Sequence, residues 1–505
     1  MGVLREKIRT IFSFPVALAS LLVLWVYMLA NGSIADPDIW WHLLNARYLL
    51  DHHQLPRFDM YSATVLGQPW INHEWLAEIP YYLAWRKWGL PGINGIAVVL
   101  VELIFLGIFC LSCRSSGNIK ASWLAACLFL LLAMISFGPR TTLFGYLYLI
   151  VLLLILERYR SRRQGPLWLI PPLFCLWINT HGSWLLGLIV FGLVIASGLK
   201  EADWQFVAAK RWSPKQLRDL VAAAAVSVGV LFINPFGYHL VLYPFDLAFR
   251  QKLNVTYGEE WASVNFHTPR GKTVLAALVI LLLGALLSRY RWRLDELALA
   301  AFALYSGLTH IRFLFLVAIL VTPLVAKFLD FVPPYRREID KPLLNAGVIA
   351  AVAAILVTRL PSPAQLQHDV AGTFPTQALE FINTHGLAGE RTFNYYGWGG
   401  YLEWKDPGVK PFVDTRTDIF EYAGVLQDYL DVTGMKDPLK VLDKRQVEWV
   451  LFPPRDPFAY FLSHTEDWKV AYNDNVAEVF VRATPAPAAS PNGAVAQTRD
   501  RQEAR

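Results

Sequence analysis

Charge is scarce in this chain. Only 17% of its 505 residues are Asp, Glu, Lys or Arg, against about a quarter in soluble domains, which excludes a simple string of soluble globular domains. Cysteine is scarcer still. Cys110, Cys113, Cys127 and Cys175 all fall in or beside apolar runs and none in a long outer loop. That placement implies no disulfide framework, and no pair has the context of a zinc site, so packing is the expected role of these small apolar side chains. Internal repetition is also missing, which weakens an inverted-repeat transporter. The net charge of +6 does not imply nucleic acid, because the basic residues cluster in short connectors between apolar blocks.

What the chain has in abundance is apolar length. Hydrophobic residues make up 55%, the mean hydropathy is positive, and the apolar residues come in blocks of roughly 17–25, enough to cross a hydrocarbon core of about 30 Å. Nineteen Trp and twenty-one Tyr suit a protein with many membrane–water boundaries. The basic N-terminus (Arg5, Lys7, Arg9) precedes an apolar run from Ile11 to Ala30. That run is longer than a usual signal core, so an uncleaved anchor is favoured over a signal peptide with Ser33 and Ala35 at its cleavage site. Further spans read near 92–112, 121–137, 143–157, 167–180, 183–199, 219–235, 272–288, 295–309, 312–329 and 343–360, about eleven in all.

The basic connectors give these spans a direction. With the N-terminus inside, Arg114 and Lys120, then Arg158, Arg160, Arg162 and Arg163, all fall on the cytoplasmic side. Lys200, Lys210, Arg211, Lys215 and Arg218 follow, then Arg289, Arg291 and Arg293, and finally Lys327, Arg336, Arg337 and Lys341. This is the positive-inside pattern, with Arg86 and Lys87 as exceptions in a long loop. The expected fold is therefore mainly α: a polytopic helical membrane protein with a small C-terminal α/β domain on the exoplasmic side. Residues 1–360 form the transmembrane part, with a large first exoplasmic loop at 31–90 carrying short surface helices. Residues 361–482 form the α/β domain, with strands at 448–452 and 476–481 and helices near 375–386 and 421–445. The Ala- and Pro-rich tail at 483–505 is expected to be disordered.

The polar residues then stand out. Asp36-Pro37-Asp38, followed by Trp40, Trp41 and His42, lies just outside the first span. Two carboxylates flanking a proline can act as a base or hold a divalent ion (Mg or Mn), with His42 sharing either task; they can equally start a helix. The same loop carries Asn72, His73 and Glu74 among tryptophans. Arg140 follows Gly138-Pro139; Asn179 and His181 end the fifth span; His239 follows Asn234-Pro-Phe-Gly237; Glu259 and Glu260 precede Trp261; His310 and Arg312 join two late spans. Ionisable groups at such places are functional candidates, although helix ends are naturally polar. Under the inferred topology all of them face outward. Together they suggest an outward-facing cavity of carboxylates, histidines and two arginines, suited to a lipid-linked phosphate.

The arrangement resembles the bacterial GT-C fold glycosyltransferases, particularly the branch related to lipopolysaccharide-core galacturonosyltransferases and arabinose or mannose transferases. The resemblance rests on many spans, a long first exoplasmic loop, paired acids after the first span (matched here by Asp36 and Asp38) and an exoplasmic C-terminal domain. At the sequence level it is concentrated in 36–80, in Asp-Pro-Asp-(x)-Trp-Trp-His-Leu and the later Trp-(x)-Asn-His-Glu-Trp-Leu, which look like those of uncharacterised bacterial membrane proteins near this fold. It implies a polyprenyl-phosphate sugar donor, a glycan, lipid or protein acceptor, and a place in the bacterial inner membrane with the C-terminal domain periplasmic. The paired acids Asp36 and Asp38 are the catalytic residues it implies; with them His42, His73 and Glu74 are the catalytic candidates read from the first loop, and Arg140, Asn179, His181, Glu260, His310 and Arg312 the substrate-binding candidates read from the outer span ends. The stretch from Phe393 to Trp404, with Asp414 and Arg416 beyond it, is loosely similar to the aromatic acceptor-recognition motif of oligosaccharyltransferases without its central Asp. Its other reading is a Gly-rich turn packing aromatics beside a buried Asp–Arg pair. A glycan polymerase or ligase, a transport protein of polysaccharide export and a non-catalytic relative are the alternatives.

Overall fold

The computed structural model describes residues 2–162, 165–288 and 290–483. Arg163, Arg289 and the tail beyond Ala483 lie outside the described residues. The chain is mainly helical and divides into two compact units. Among the described residues, the first comprises 2–36 and 73–366, and the second 37–72 together with 367–483.

Each expected span falls on a helix of the first unit, but the lengths differ from expectation. Among the described residues four helices are long and apolar enough to cross a membrane unaided: Leu90–Ser116, Thr142–Arg162, Pro269–Leu287 and Ile311–Phe328. A fifth candidate is the pair Pro342–Thr358 and Pro363–Thr373, bent by 61° where Pro361 and Pro363 interrupt the backbone pattern. Phe14–Ala30, Ile119–Ala133, Leu167–Ile178 and Trp184–Ala196 are shorter apolar helices. Several stop early for local reasons. The helix expected over 167–180 opens with a 3-10 turn and ends at Ile178, before Asn179, and the one expected to reach 137 gives way to a 3-10 turn at Met134–Ser136.

Burial separates these helices by place. Leu314–Phe328 has nearly every side chain buried, the mark of a central helix that is apolar all round. Pro269–Leu287 keeps Leu282, Leu286 and Leu287 exposed, as suits a wall that meets hydrocarbon. Basic connectors from different parts of the sequence meet at one end of the unit, where Arg160 and Arg293 share Asp295 and Lys327 pairs with Glu296. A small sheet of Ala202–Asp203, Val207–Ala209 and Trp292–Arg293, which no sequence pattern announced, joins two of those connectors. All four cysteines are free.

The second unit is built on a four-stranded mixed sheet. Thr392–Asn394 runs parallel to Trp449–Phe452, which pairs antiparallel with Glu478–Arg482, itself antiparallel to Trp468–Asn473. Phe393, Phe452 and Phe458 pack together with ring centroids 5.0–5.6 Å apart, each contributing about 1.5–3 kcal/mol by burial. Residues 37–72 belong to this unit, a difference from the single membrane-surface loop expected over 31–90. The reason is a set of long-range bonds. Ala63 N donates to Pro411 O at 2.9 Å and Thr64 Oγ1 to Phe412 O at 2.6 Å, while Asp59 pairs with Arg416 at 2.8 Å. Gly399 has no room for a side chain, because a Cβ there would overlap Val413 and Asp414. The Phe393–Trp404 stretch is thus structural: the end of a strand, a 3-10 turn at Tyr396–Trp398 and the helix Gly399–Lys405, close to a buried Asp414–Arg416 pair.

Candidate functional site at one end of the helical unit

Arg140 is placed by a broken helix. Gly138 takes φ of 133°, a backbone region that favours glycine, and with Pro139 it turns the chain out of one helix before Thr142 starts the next. Tyr81 Oη donates to the Arg140 carbonyl at 3.1 Å and fixes this turn. The Arg140 guanidinium lies between two carboxylates, Nε on Asp36 and Nη1 on Glu260. Asp36 is buried and Glu260 is the more exposed partner. Asn94 secures the segment leading to Asp36 by accepting from Gly32 N at 2.9 Å and donating to Asn31 Oδ1 at 2.8 Å.

Around this triad lies a cavity of about 370 Å³, counted to its open mouth, whose polar lining includes Arg140, His181, Ser183, Glu260 and Arg312. Burial opposes ionisation of Glu260, but Arg140 and Arg312 outweigh it and hold its carboxyl below the usual range. Arg312 stacks on Trp261 with its guanidinium carbon 4.3 Å from the ring centre, a cation–π contact. His310 stands behind it: the Trp261 carbonyl can only accept, so the 2.7 Å bond assigns the proton to His310 Nδ1.

His181 enters the cavity through a second set of bonds. Ser183 N donates to His181 Nδ1 at 3.0 Å, which assigns the ring proton to Nε2, and Nε2 is 3.2 Å from Glu74 Oε1. Thr141 Oγ1 donates to the same oxygen at 2.9 Å, and His73 Nε2 is 3.7 Å away. Tyr243 stacks on His73 at 4.3 Å. Glu74 therefore ties His181 to the residue that follows Arg140.

Four of the six expected substrate residues (Arg140, His181, Glu260 and Arg312) line one cavity, and Asp36 joins them through Arg140. Asn179 does not line it. Its Oδ1 accepts from Trp75 Nε1 at 3.1 Å, and its Nδ2 donates to Cys175 O and Ile233 O at 2.8 and 2.9 Å. It is a clamp between segments. Asn179→Ala is expected to lower the Tm in detergent, by roughly 1–3 kcal/mol of lost stability from stranded polar groups, while ligand affinity at the cavity stays near that of the wild type.

Asp38 and His42 fall in the second unit, as does Asn72. Asp38 opens the Asp38–His52 helix, where a carboxylate suits the N-terminal dipole, and His42 is buried with its ring 3.7 Å from that of Trp41. His239 and Glu259 are exposed. Among the described residues no group of three or more His, Cys, Asp or Glu stands together as metal ligands. Asp36 is engaged by Arg140, and Asp38, the other acid expected to hold Mg or Mn, opens a helix of the second unit. Sequence reading missed Thr141, Tyr146 and Ser183. Their one signal was adjacency: Thr141 directly follows Arg140, Tyr146 lies less than two turns further on, and Ser183 is two residues past His181.

Helices long and apolar enough to cross a membrane, with an acid–arginine cavity at one end, define a helical protein of membrane character. Among solved structures the chain is similar to ArnT from Cupriavidus metallidurans bound to undecaprenyl phosphate, at 13% identity and a TM-score of 0.49, over 94% of this chain and 99% of that one. It is similar to the same protein in the apo state at 15% identity and a TM-score of 0.49, over 92% and 97%. No protein-family model matches the chain, and no curated protein matches it.

Proposed function

We propose that the chain is a membrane glycosyltransferase of the bacterial inner membrane. It moves a sugar from a polyprenyl-phosphate donor to a hydroxyl on a glycan, lipid or protein acceptor at the outer face. The observation that carries this reading is Arg140, held between Asp36 and Glu260 in a cavity that also contains Arg312. Guanidinium groups stay charged and match phosphate oxygens with a planar fork, and apolar helices beside the cavity suit the polyprenyl chain.

In the transfer, the acceptor oxygen attacks the anomeric carbon while its proton passes to a carboxylate. The bond from that carbon to the phosphate oxygen breaks, and the electron pair stays on the lipid phosphate. Arg140 and Arg312 stabilise the charge gathering there. Asp36 is the preferred base over Asp38, because it is the acid bonded to the arginine of the cavity. Glu74 is a positioning residue for His181. A glycan profile of a deletion strain tests the reading. The loss of one sugar is expected, restored by the wild type and reduced about 10²–10⁴-fold in rate with Asp36→Asn. Unchanged glycans contradict it.

Glu260 competes with the phosphate for Arg140. Glu260→Gln is expected to tighten binding of undecaprenyl phosphate several-fold in a direct titration. The sign with pH follows from the lowered carboxyl. Above the ordinary carboxylate value of 4.5 the wild type stays ionised and competes, and the gap between the two proteins closes only as pH falls through Glu260's lower folded value.

A further inference from the structure

A second cavity, of about 560 Å³ counted out to open solvent at its mouth, lies at the far end of the same helices. Thr142–Arg162 starts beside Arg140 and ends with Glu157 and Arg160, while Leu294–Thr309 starts at Asp295 and Glu296 and ends before His310. Ile311–Phe328 likewise begins beside Arg312 and ends with Lys327. From Thr142 to Arg160 the helix rises about 27 Å, so the two cavities are separated by most of the thickness of a membrane core.

The charges at this far end balance, with Glu157, Asp295 and Glu296 against Arg160, Arg293 and Lys327. Arg160 Nη1 donates to Asp295 at 2.9 Å and Arg293 Nη2 to Glu157 at 3.1 Å. One donor is left over. Arg160 Nη2 is a buried atom without a hydrogen-bond partner, whereas Arg293 Nε is 3.3 Å from a Glu296 oxygen. Buried N–H groups of this kind are costly unless something fills the site. Above the charges the wall is apolar, with Leu111, Leu153, Leu320 and Leu324.

We propose that this cavity is a lipid site, distinct from the donor cavity, for a zwitterionic glycerophospholipid with a primary ammonium headgroup. The phosphate meets the Arg160 and Arg293 guanidinium groups that line the cavity, the ammonium meets Glu157 and Asp295, and an acyl chain lies along the leucines. A purely anionic headgroup is disfavoured, because it adds uncompensated charge to a network that is already neutral. A quaternary ammonium is disfavoured as well, because it cannot donate hydrogen bonds to the carboxylates.

Native mass spectrometry of the delipidated full chain in detergent tests this, with phosphatidylethanolamine, phosphatidylglycerol and phosphatidylcholine offered at equal concentration. Phosphatidylethanolamine is expected to be retained about tenfold over phosphatidylglycerol, a difference of about 1.4 kcal/mol. Arg160→Gln is expected to lose that retention while binding a polyprenyl phosphate like the wild type. Equal retention of the three lipids by the wild type overturns the proposal. So does undiminished phosphatidylethanolamine retention by an Arg160→Gln protein with the wild-type elution volume. The wild-type comparison decides the matter by itself if the variant does not fold.

Discussion

Arg140→Ala is expected to lower sugar transfer by about 10²–10³-fold, the effect of removing one donor from a site of developing negative charge. Binding of a polyprenyl phosphate should weaken with it, since the same group meets the phosphate before and during bond breaking. Arg140→Lys is not expected to restore either. The guanidinium reaches Asp36 through Nε and Glu260 through Nη1, and a single ammonium has no planar fork with which to hold two carboxylates and a phosphate in fixed geometry. Arg312→Ala should be milder for assembly of the site, because Arg312 rests on Trp261 and carries no pair of carboxylates. The check is transfer rate and lipid titration on the same purified variants. A fully active Arg140→Ala protein would show that the cavity serves something other than phosphate.

The second large effect concerns stability. Arg416 is buried among Asp59, Asp414 and Glu403, with Nε donating to both Asp414 oxygens at 3.0 and 3.1 Å and Nη2 at 2.8 Å from Asp59. Burial, then the nearby Asp414, push the Glu403 carboxyl well above its ordinary value. Arg416→Ala leaves two buried aspartates without their counter-ion and is expected to cost about 3–5 kcal/mol. Because Asp59 and Arg416 join residues 37–72 to the rest of the second unit, faster hydrogen exchange should appear together in 59–64 and in Thr392–Asn394. Glu403→Gln keeps the shape of the protonated acid and is expected to cost little. A raised carboxyl stabilises the fold fully below its unfolded value near 4.5, and that contribution is lost as pH rises through the folded value. The wild type should therefore lose stability with rising pH over that window, and Glu403→Gln should flatten this part of the slope. Arg416→Ala with unchanged exchange in both segments would contradict the account of this unit.

Much of the helical unit was legible because a membrane imposes its own pattern. Apolar blocks announce helices whatever their partners, and polar residues kept at helix ends must meet there, as Arg140, His181, Glu260 and Arg312 do. The lengths were less legible, since local breaks such as the 3-10 turns at Met134–Ser136 and Leu167–Leu169 leave no mark on hydropathy. The division of the first loop was not legible at all. Asp36 and Asp38 are separated by one proline yet belong to different units. What decides this is pairing over hundreds of residues, Thr64 to Phe412 and Asp59 to Arg416, and no periodicity encodes it. Asn179 misled for the same reason. Its polar atoms are consumed by Trp75, Cys175 and Ile233, and two of those partners lie far away in sequence.

The most direct test of the account is a cryo-electron microscopy structure of the full chain in a lipid nanodisc with a saturating polyprenyl phosphate. The phosphate is expected within hydrogen-bond distance, about 3 Å, of the Arg140 and Arg312 guanidinium groups, with Glu260 displaced from Arg140 and Asp36 still bonded to it. A phosphate bound elsewhere, with Arg140 still clamped between Asp36 and Glu260, would contradict it.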